Sequence, residues 1–352
     1  MMPLTSANSW IRYLAENGST GSRYTLRTYA YHLFDFLSFL EFKKCRWEEI
    51  DNSILTNYRD AQDLNRSPHT KDYISRKTIN ARLLVVGQFY KFAHENSHIE
   101  KNPIIYKTIK YRLPLDVDMK AHTGRTIIRE VPLATFERLG RVPIKWQPHE
   151  TVMKWINTID RWQDKLIAKL LYRTGMRRSE VLDLQTYQLP ERTGKTLSQN
   201  EISFNITGKG KKERLIYISI RDFNELHDFI RLYRAKLIKK GNAHDYIFVN
   251  KNGSRLSPNY VNNFFSCISK KSGIHLTPHM MRHSFAVFAL QYWRSLGLSQ
   301  PEKLLQARLG HSSVVTTQIY MHLTDERKAE EARGNALLID LMMQGELLET
   351  TF

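Results

Sequence analysis

The chain has 352 residues, enough for more than one buried core, and 41% hydrophobic with 25% charged residues exclude wholesale disorder. Lysine and arginine outnumber aspartate and glutamate by 53 to 35, a formal net charge of +18 that points to a polyanionic partner, nucleic acid first. Two widely spaced cysteines, Cys45 and Cys267, argue against a disulfide framework or a cysteine zinc site. The absence of any apolar run near ~20 residues or of a signal-peptide pattern leads to a soluble, cytoplasmic protein with no membrane contact.

Taken in order, Tyr24, Tyr29, Leu33, Phe34, Phe36, Leu37 and Phe39 recur at helical spacing and predict a helix from Ser22 to Phe42, with Ser22 as its cap. A second helix is predicted over Arg76 to Glu95. Its apolar stripe runs Ile79, Leu83, Val86, Phe89, Tyr90 and Phe92, and its cations populate other faces, which suits either a solvated surface or a helix facing a nucleic-acid groove. Asn102-Pro103 ends this segment. Residues 111 to 144 hold prolines and no sustained period, so they are read as a linker, with the second domain beginning near Val142 to Gln147. The basic excess is concentrated beyond it. Residues 148 to 326 carry 27 basic against 15 acidic residues, residues 1 to 110 carry 16 against 11, and after residue 326 the balance reverses to 3 against 5.

Helical spacing returns from Glu150 to Tyr172 and is broken by Thr174 and Gly175 in TGMRRSEVLDL, after which a new helix is predicted through Leu184. Arg177, Val181 and Leu184 share a face there, so Arg177 is expected on the buried side with Glu180 as its partner. A structural ion pair and a ligand-binding arginine both remain open. Residues 201 to 220 read as two strands joined by GKGKKER, a hairpin whose Gly208 and Gly210 supply turn flexibility. Spacing does not choose among Lys209, Lys211 and Lys212. Further helices are predicted over 223 to 240 and 258 to 271, with a short apolar run at 246 to 249. The acidic end, residues 327 to 352, is an amphipathic helix suited to docking on its own domain or on a neighbouring subunit.

Between Thr277 and His322 lie His279, Arg282, His311 and Tyr320: two imidazoles, a cation that cannot lose its proton and a phenol able to act as a nucleophile. Such groups suit attack on a phosphodiester. His279 and His283, at the spacing of two ligands on a helix, could join His311 and His322 around a metal. Arg282 between them would repel a cation and no carboxylate is suitably placed, so neither metal nor cofactor is expected. Taken singly, each histidine is an ordinary core or surface residue.

The strings TGMRRSE, ITGKGKKERLIYI, TPHMMRHSFA and LGHSSVVTTQIYMH, in this order and with nine positions from His311 to Tyr320, resemble the signature motifs of the tyrosine recombinase, or phage integrase, family. The likeness covers residues 145 to 326, and residues 20 to 110 resemble that family's helical core-binding domain. Two departures stand out: ALQYWRSLGLSQPEK is longer than in compact members, and Met281 stands where leucine is common. The resemblance implies a mainly α fold with a small antiparallel sheet, divided into a core-binding domain (1–110), a linker (111–144), an α+β catalytic domain (145–326) and the terminal helix (327–352).

It further implies a site of Arg177, Lys209, His279, Arg282, His311 and Tyr320, supported by Glu180. Tyr320 would form a 3′-phosphotyrosine, the two arginines would clamp the phosphate, Lys209 would protonate the leaving 5′-oxygen, and His279 and His311 would orient the phosphate and assist proton movement to or from Tyr320. Partners implied are double-stranded DNA recombination sites, three further copies in a tetramer that passes through a Holliday junction, and accessory DNA-bending or directionality proteins. The expected role is integrase or transposase of a mobile element. A type IB topoisomerase-like strand transferase and an inactive DNA-binding module are the alternatives.

Overall fold

The computed structural model describes residues 2–17, 22–67, 71–112, 126–137, 143–208, 213–238, 244–310 and residues 317, 320, 321, 323 and 324. The chain divides into two compact units, Met1–Val142 and Pro143–Phe352. It is mostly helical with two small antiparallel sheets, one in each unit.

The first unit holds α1 (Met2–Glu16), α2 (Arg23–Phe42), α3 (Asn52–Leu64), α4 (Arg76–Glu95), β1 (Tyr106–Arg112) and β2 (Thr126–Pro132). Side-chain caps set three of the helix starts. Ser22 accepts from the Tyr24 N–H at 3.2 Å, Asp51 from Ile54 at 2.9 Å and Ser75 from Thr78 at 3.2 Å, each satisfying a donor the helix itself leaves open. The helices close over an aromatic core of Trp10, Phe36, Tyr58, Phe89 and Tyr90. At its edge Asp35 accepts from Tyr58 (2.5 Å), Arg82 (2.8 Å) and Gln62 (3.1 Å), tying α2, α3 and α4 together. Sequence spacing did not reveal α1 or α3. Ala7, Trp10, Ile11 and Leu14 do fall at helical spacing in α1, but the stripe is short and lies among polar residues, and α3 is largely polar.

Part of the expected linker lies among the described residues, where it contributes to a strand pair. β1 and β2 pair from Tyr106↔Pro132 to Arg112↔Thr126, and Ala134 joins the aromatic core. Gly87 makes the docking possible: a Cβ there would lie 2.8 Å from Pro132 Cγ, and the Gly87 carbonyl accepts from the Tyr106 hydroxyl at 2.8 Å. The hairpin was hidden because its two strands stand 14 positions apart with no turn signature adjoining either.

The second unit holds α5 (His149–Asn157), α6 (Trp162–Thr174), α7 (Arg178–Leu182), α8 (Gly194–Leu197), β3 (Glu201–Thr207), β4 (Glu213–Ser219), α9 (Ile220–Phe229), a wider π turn at Ile230–Arg234, α10 (Ala235–Leu237), α11 (Pro258–Ser272), α12 (Pro278–Ser295) and α13 (Pro301–Leu309). The single helix expected over 150 to 172 is two. The chain turns after Asn157, where the Thr158 N–H bonds to the Trp155 carbonyl at 3.2 Å, yet Ile159 stays buried, so the apolar spacing runs on through the break. The strands pair from Glu201↔Ser219 to Thr207↔Glu213, and their alternating inward residues Ile202, Phe204, Ile206, Ile216 and Ile218 join a core built on α6. A smaller cluster of Ala286, Val287, Leu290, Leu305, Leu309 and Tyr320 packs beside α12 and α13. Lys209, Gly210, Lys211, Lys212, His311, His322 and residues 327 to 352 lie outside the described residues.

Candidate active site

The site begins where α6 stops. Gly175 ends the helix in the left-handed region (φ +64°), and a Cβ there would meet Phe285 Cδ1 at 2.5 Å and Leu309 Cδ2 at 2.8 Å. Thr174 fixes the same turn, donating to the Leu170 carbonyl at 2.6 Å and accepting from the Met176 N–H at 3.1 Å. This delivers Arg177 as the residue preceding α7, not on the buried face of a longer helix as its spacing suggested. Helix α7 spans only Arg178–Leu182, and the Arg177 side chain keeps 35% exposure.

Glu180 is the partner of Arg177 and almost entirely enclosed, with 2% side-chain exposure. Its Oε1 accepts from the Arg177 guanidinium at 2.8 Å and its Oε2 from the Arg177 backbone N–H at 2.7 Å. Oε2 also accepts from Arg214 of β4 at 2.7 Å. Burial pulls the Glu180 carboxyl up, but the Arg214 charge and the hydrogen bonds from Arg177 and Arg214 outweigh it and hold the group below its ordinary range. Arg214 reaches further, donating to the Arg308 carbonyl at the end of α13. There Gly310, also left-handed (φ +62°), leaves room that a Cβ would fill at 2.5 Å from Arg214 Cδ.

Helix α12 opens with Thr277, whose hydroxyl accepts from the Met280 N–H at 3.2 Å, and with Pro278 in its first turn. This places His279 near the helix start, exposed, and Arg282 one turn further, buried. Arg282 donates to the carbonyls of Gly175 and, at 2.6 Å, Leu309, so it ties the α6 turn to the end of α13. Burial and the nearby Arg177 charge push the Arg282 pKa down to about 10, which leaves it charged at neutral pH. Although His279 is exposed over the residue as a whole, partial enclosure of its ring, then the charges of Arg282 and Arg177, lower its pKa.

Tyr320 lies with 2% exposure in the cluster beside α12, its hydroxyl 2.6 Å from His283 Nδ1. Burial drives its pKa up to about 12 against the opposing pull of Arg282 and Arg177. His283 in turn packs edge-on against His279, with ring centroids 4.1 Å apart. Burial, then His279 and Arg282, bring the His283 pKa down to about 4. Of the six residues expected in the site, Arg177, His279, Arg282 and Tyr320 are thus linked through shared partners and charges, while Lys209 and His311 lie outside the described residues.

Sequence reading passed over Arg214 and His283. Arg214 stood inside ITGKGKKERLIYI without any feature to separate it from its neighbouring cations, and only its burial against Glu180 distinguishes it. His283 was weighed solely as a metal ligand. Its signal was spacing: one turn beyond His279, it falls on the same face of α12. Arrangements of this kind, with guanidinium groups on a shared buried carboxylate and a phenol beside an imidazole, can hold an anionic tetrahedral group and supply an oxygen nucleophile.

Comparisons with known proteins agree in both units. Residues 146–327 match the model of the Phage integrase family, and residues 7–96 that of the Phage integrase, N-terminal SAM-like domain. Tyrosine recombinase XerC of Oceanobacillus iheyensis is 25% identical over 328 residues, covering 92% of this chain and 93% of the relative. Tyrosine recombinase XerD of the same organism is 34% identical over 174 residues, 49% of this chain and 54% of that one. The crystal structure of XerH site-specific recombinase bound to difH substrate, a pre-cleavage complex, has a similar fold, with a TM-score of 0.61 at 18% identity over 91% of this chain and 83% of that one. The class they define is the DNA strand-transferring recombinase. The chain belongs to the phage integrase family, the tyrosine recombinases.

Proposed function

We propose that this chain cuts and rejoins double-stranded DNA at defined recombination sites through a 3′-phosphotyrosine on Tyr320. The observation that carries this reading is the convergence of Arg177 and Arg282 electrostatically on Tyr320, with Arg177 anchored by the buried Glu180. In the reaction the phenol oxygen bonds to phosphorus as the bond to the 5′-oxygen breaks. The two guanidinium groups stabilise the added negative charge on the non-bridging oxygens. Lys209 donates the proton to the leaving 5′-oxygen, and His279 and His311 orient the phosphate. The phosphodiester energy stays in the protein–DNA bond, so the 5′-hydroxyl of a second strand can displace Tyr320 without ATP.

Exchange between two duplexes requires four such centres, hence a tetramer on DNA that passes through a Holliday junction, assisted by accessory DNA-bending or directionality proteins. The terminal segment 327 to 352 is the proposed tether between subunits. The biological setting we infer is a mobile element, in which excision would leave a joined circular junction.

Denaturant trapping of covalent complexes in cells expressing the chain, followed by sequencing of the attached DNA, identifies the site. A duplex of that sequence, nicked beside the scissile phosphate so that the cut strand diffuses away, should accumulate adduct with the wild type. The Tyr320→Phe variant should bind the duplex and form none. Equal adduct from both would show that the nucleophile lies elsewhere. Relaxation of one supercoiled circle without exchange between two sites would favour a topoisomerase-like transferase, and binding with no adduct from the wild type an inactive module.

A further inference from the structure

The Tyr320 hydroxyl bonds to an imidazole that is not one of the six residues of the expected site, and the geometry points to a role for it. We propose that His283 is the general base that takes the Tyr320 proton as the phenol attacks, and that returns it when the strand is rejoined. This rests on the strand-transfer reading above. His283 Nδ1 lies 2.6 Å from the Tyr320 hydroxyl, within the range of a strong O–H···N hydrogen bond. For Nδ1 to accept, the ring carries its proton on Nε2.

The surroundings suit a base. His283 sits one turn after Arg282 on α12, with His279 against its face and Arg177 and Arg282 bearing on the phenol. In the free chain burial, then His279 and the charge of Arg282, disfavour a proton on His283, so the imidazole is neutral and able to accept. A DNA phosphate held between Arg177 and Arg282 brings negative charge to the same place and opposes the cationic part of that bias as the reaction begins. At cleavage the O–H bond of Tyr320 breaks, its electron pair forms the bond to phosphorus, and Nδ1 takes the proton. At rejoining, the incoming 5′-hydroxyl expels the phenol oxygen and the imidazolium reprotonates it. His279, packed edge-on, holds the ring in place.

The test separates proton transfer from positioning. His283→Gln keeps an acceptor near the phenol but cannot take up a proton, and His283→Asn serves the same purpose should glutamine disturb the fold. Binding of the site duplex, measured by mobility shift, checks each variant. On the nicked site duplex the variant should form adduct about 10²–10⁴-fold more slowly than wild type, the usual range for loss of a general base. The comparison is then repeated with 2,3,5-trifluorotyrosine at position 320, whose phenol ionises far more readily. With a phenol that needs no base, the gap between His283→Gln and wild type should shrink to within about tenfold, whereas a structural defect would leave it unchanged. A variant that matches wild type with ordinary tyrosine, or a gap that fluorination does not narrow, overturns the proposal. So does a faster adduct, which would make the hydrogen bond a resting latch. No adduct from wild type with either phenol overturns the strand-transfer reading and this inference with it.

Discussion

At the scale of single residues, His283 gives the clearest acid signature. Its pKa falls from 6.5 to about 4 in the folded chain because burial, His279 and Arg282 resist its protonation. Above pH 6.5 neither folded nor unfolded chain carries that proton, and the contribution to stability is complete. As the pH falls toward 4 the unfolded chain takes up a proton that the folded chain refuses, so unfolding is favoured. Thermal melts of wild type and His283→Gln should therefore converge, or cross in favour of the variant, as the pH drops through this window. A constant difference between them across it would contradict the assignment. The four described candidate residues are picked out in the sequence only as residue types in strings of known order, whereas the hydrogen bond between His283 and Tyr320 joins positions 37 apart and no spacing rule reports it.

At the scale of elements, β4 and the end of α13 are joined through one arginine. Arg214 satisfies Glu180 on one side and the Arg308 carbonyl on the other, and Gly310 stays bare to admit it. Arg214→Ala leaves a buried carboxylate short of a partner and should cost about 3–5 kcal/mol, as broken buried ion pairs do. Gly310→Ala attacks the same junction from the other side and should cost about 1–3 kcal/mol through crowding, with added backbone strain. Because both act on one network, the double variant should lose less than the sum, measured by denaturant unfolding. Strict additivity would mean the two sites are independent. Elements show plainly what sequence can and cannot disclose. Helices α2 and α4 were legible nearly to the residue because their apolar stripes are long. The break between α5 and α6 was not, since Ile159 keeps the apolar rhythm through a turn that only packing requires.

At the scale of the whole molecule, the two units have separate cores, one aromatic and centred on Trp10, Phe36 and Phe89, the other built around α6 and the β3–β4 hairpin. A fragment of residues 143–352 should accordingly unfold cooperatively on its own, and Trp10→Ala, which removes a side chain of 1% exposure, should lower the first unit's transition by about 3–5 kcal/mol without moving the fragment's. Scanning calorimetry of the full chain and the fragment checks both. A fragment without a cooperative transition would show that the second core depends on the first. The β1–β2 hairpin on the first unit was not legible in the sequence, since pairing of distant strands leaves no local mark. Arg282 spends two of its five N–H donors on the Gly175 and Leu309 carbonyls, so the side chain proposed to clamp the phosphate also fastens the turn after α6 to the end of α13. Lysine could keep the charge but not the two-way fork, which leaves this position almost no tolerated substitution and makes any rate lost in Arg282→Lys a report on the fork and its two carbonyl bonds rather than on the charge.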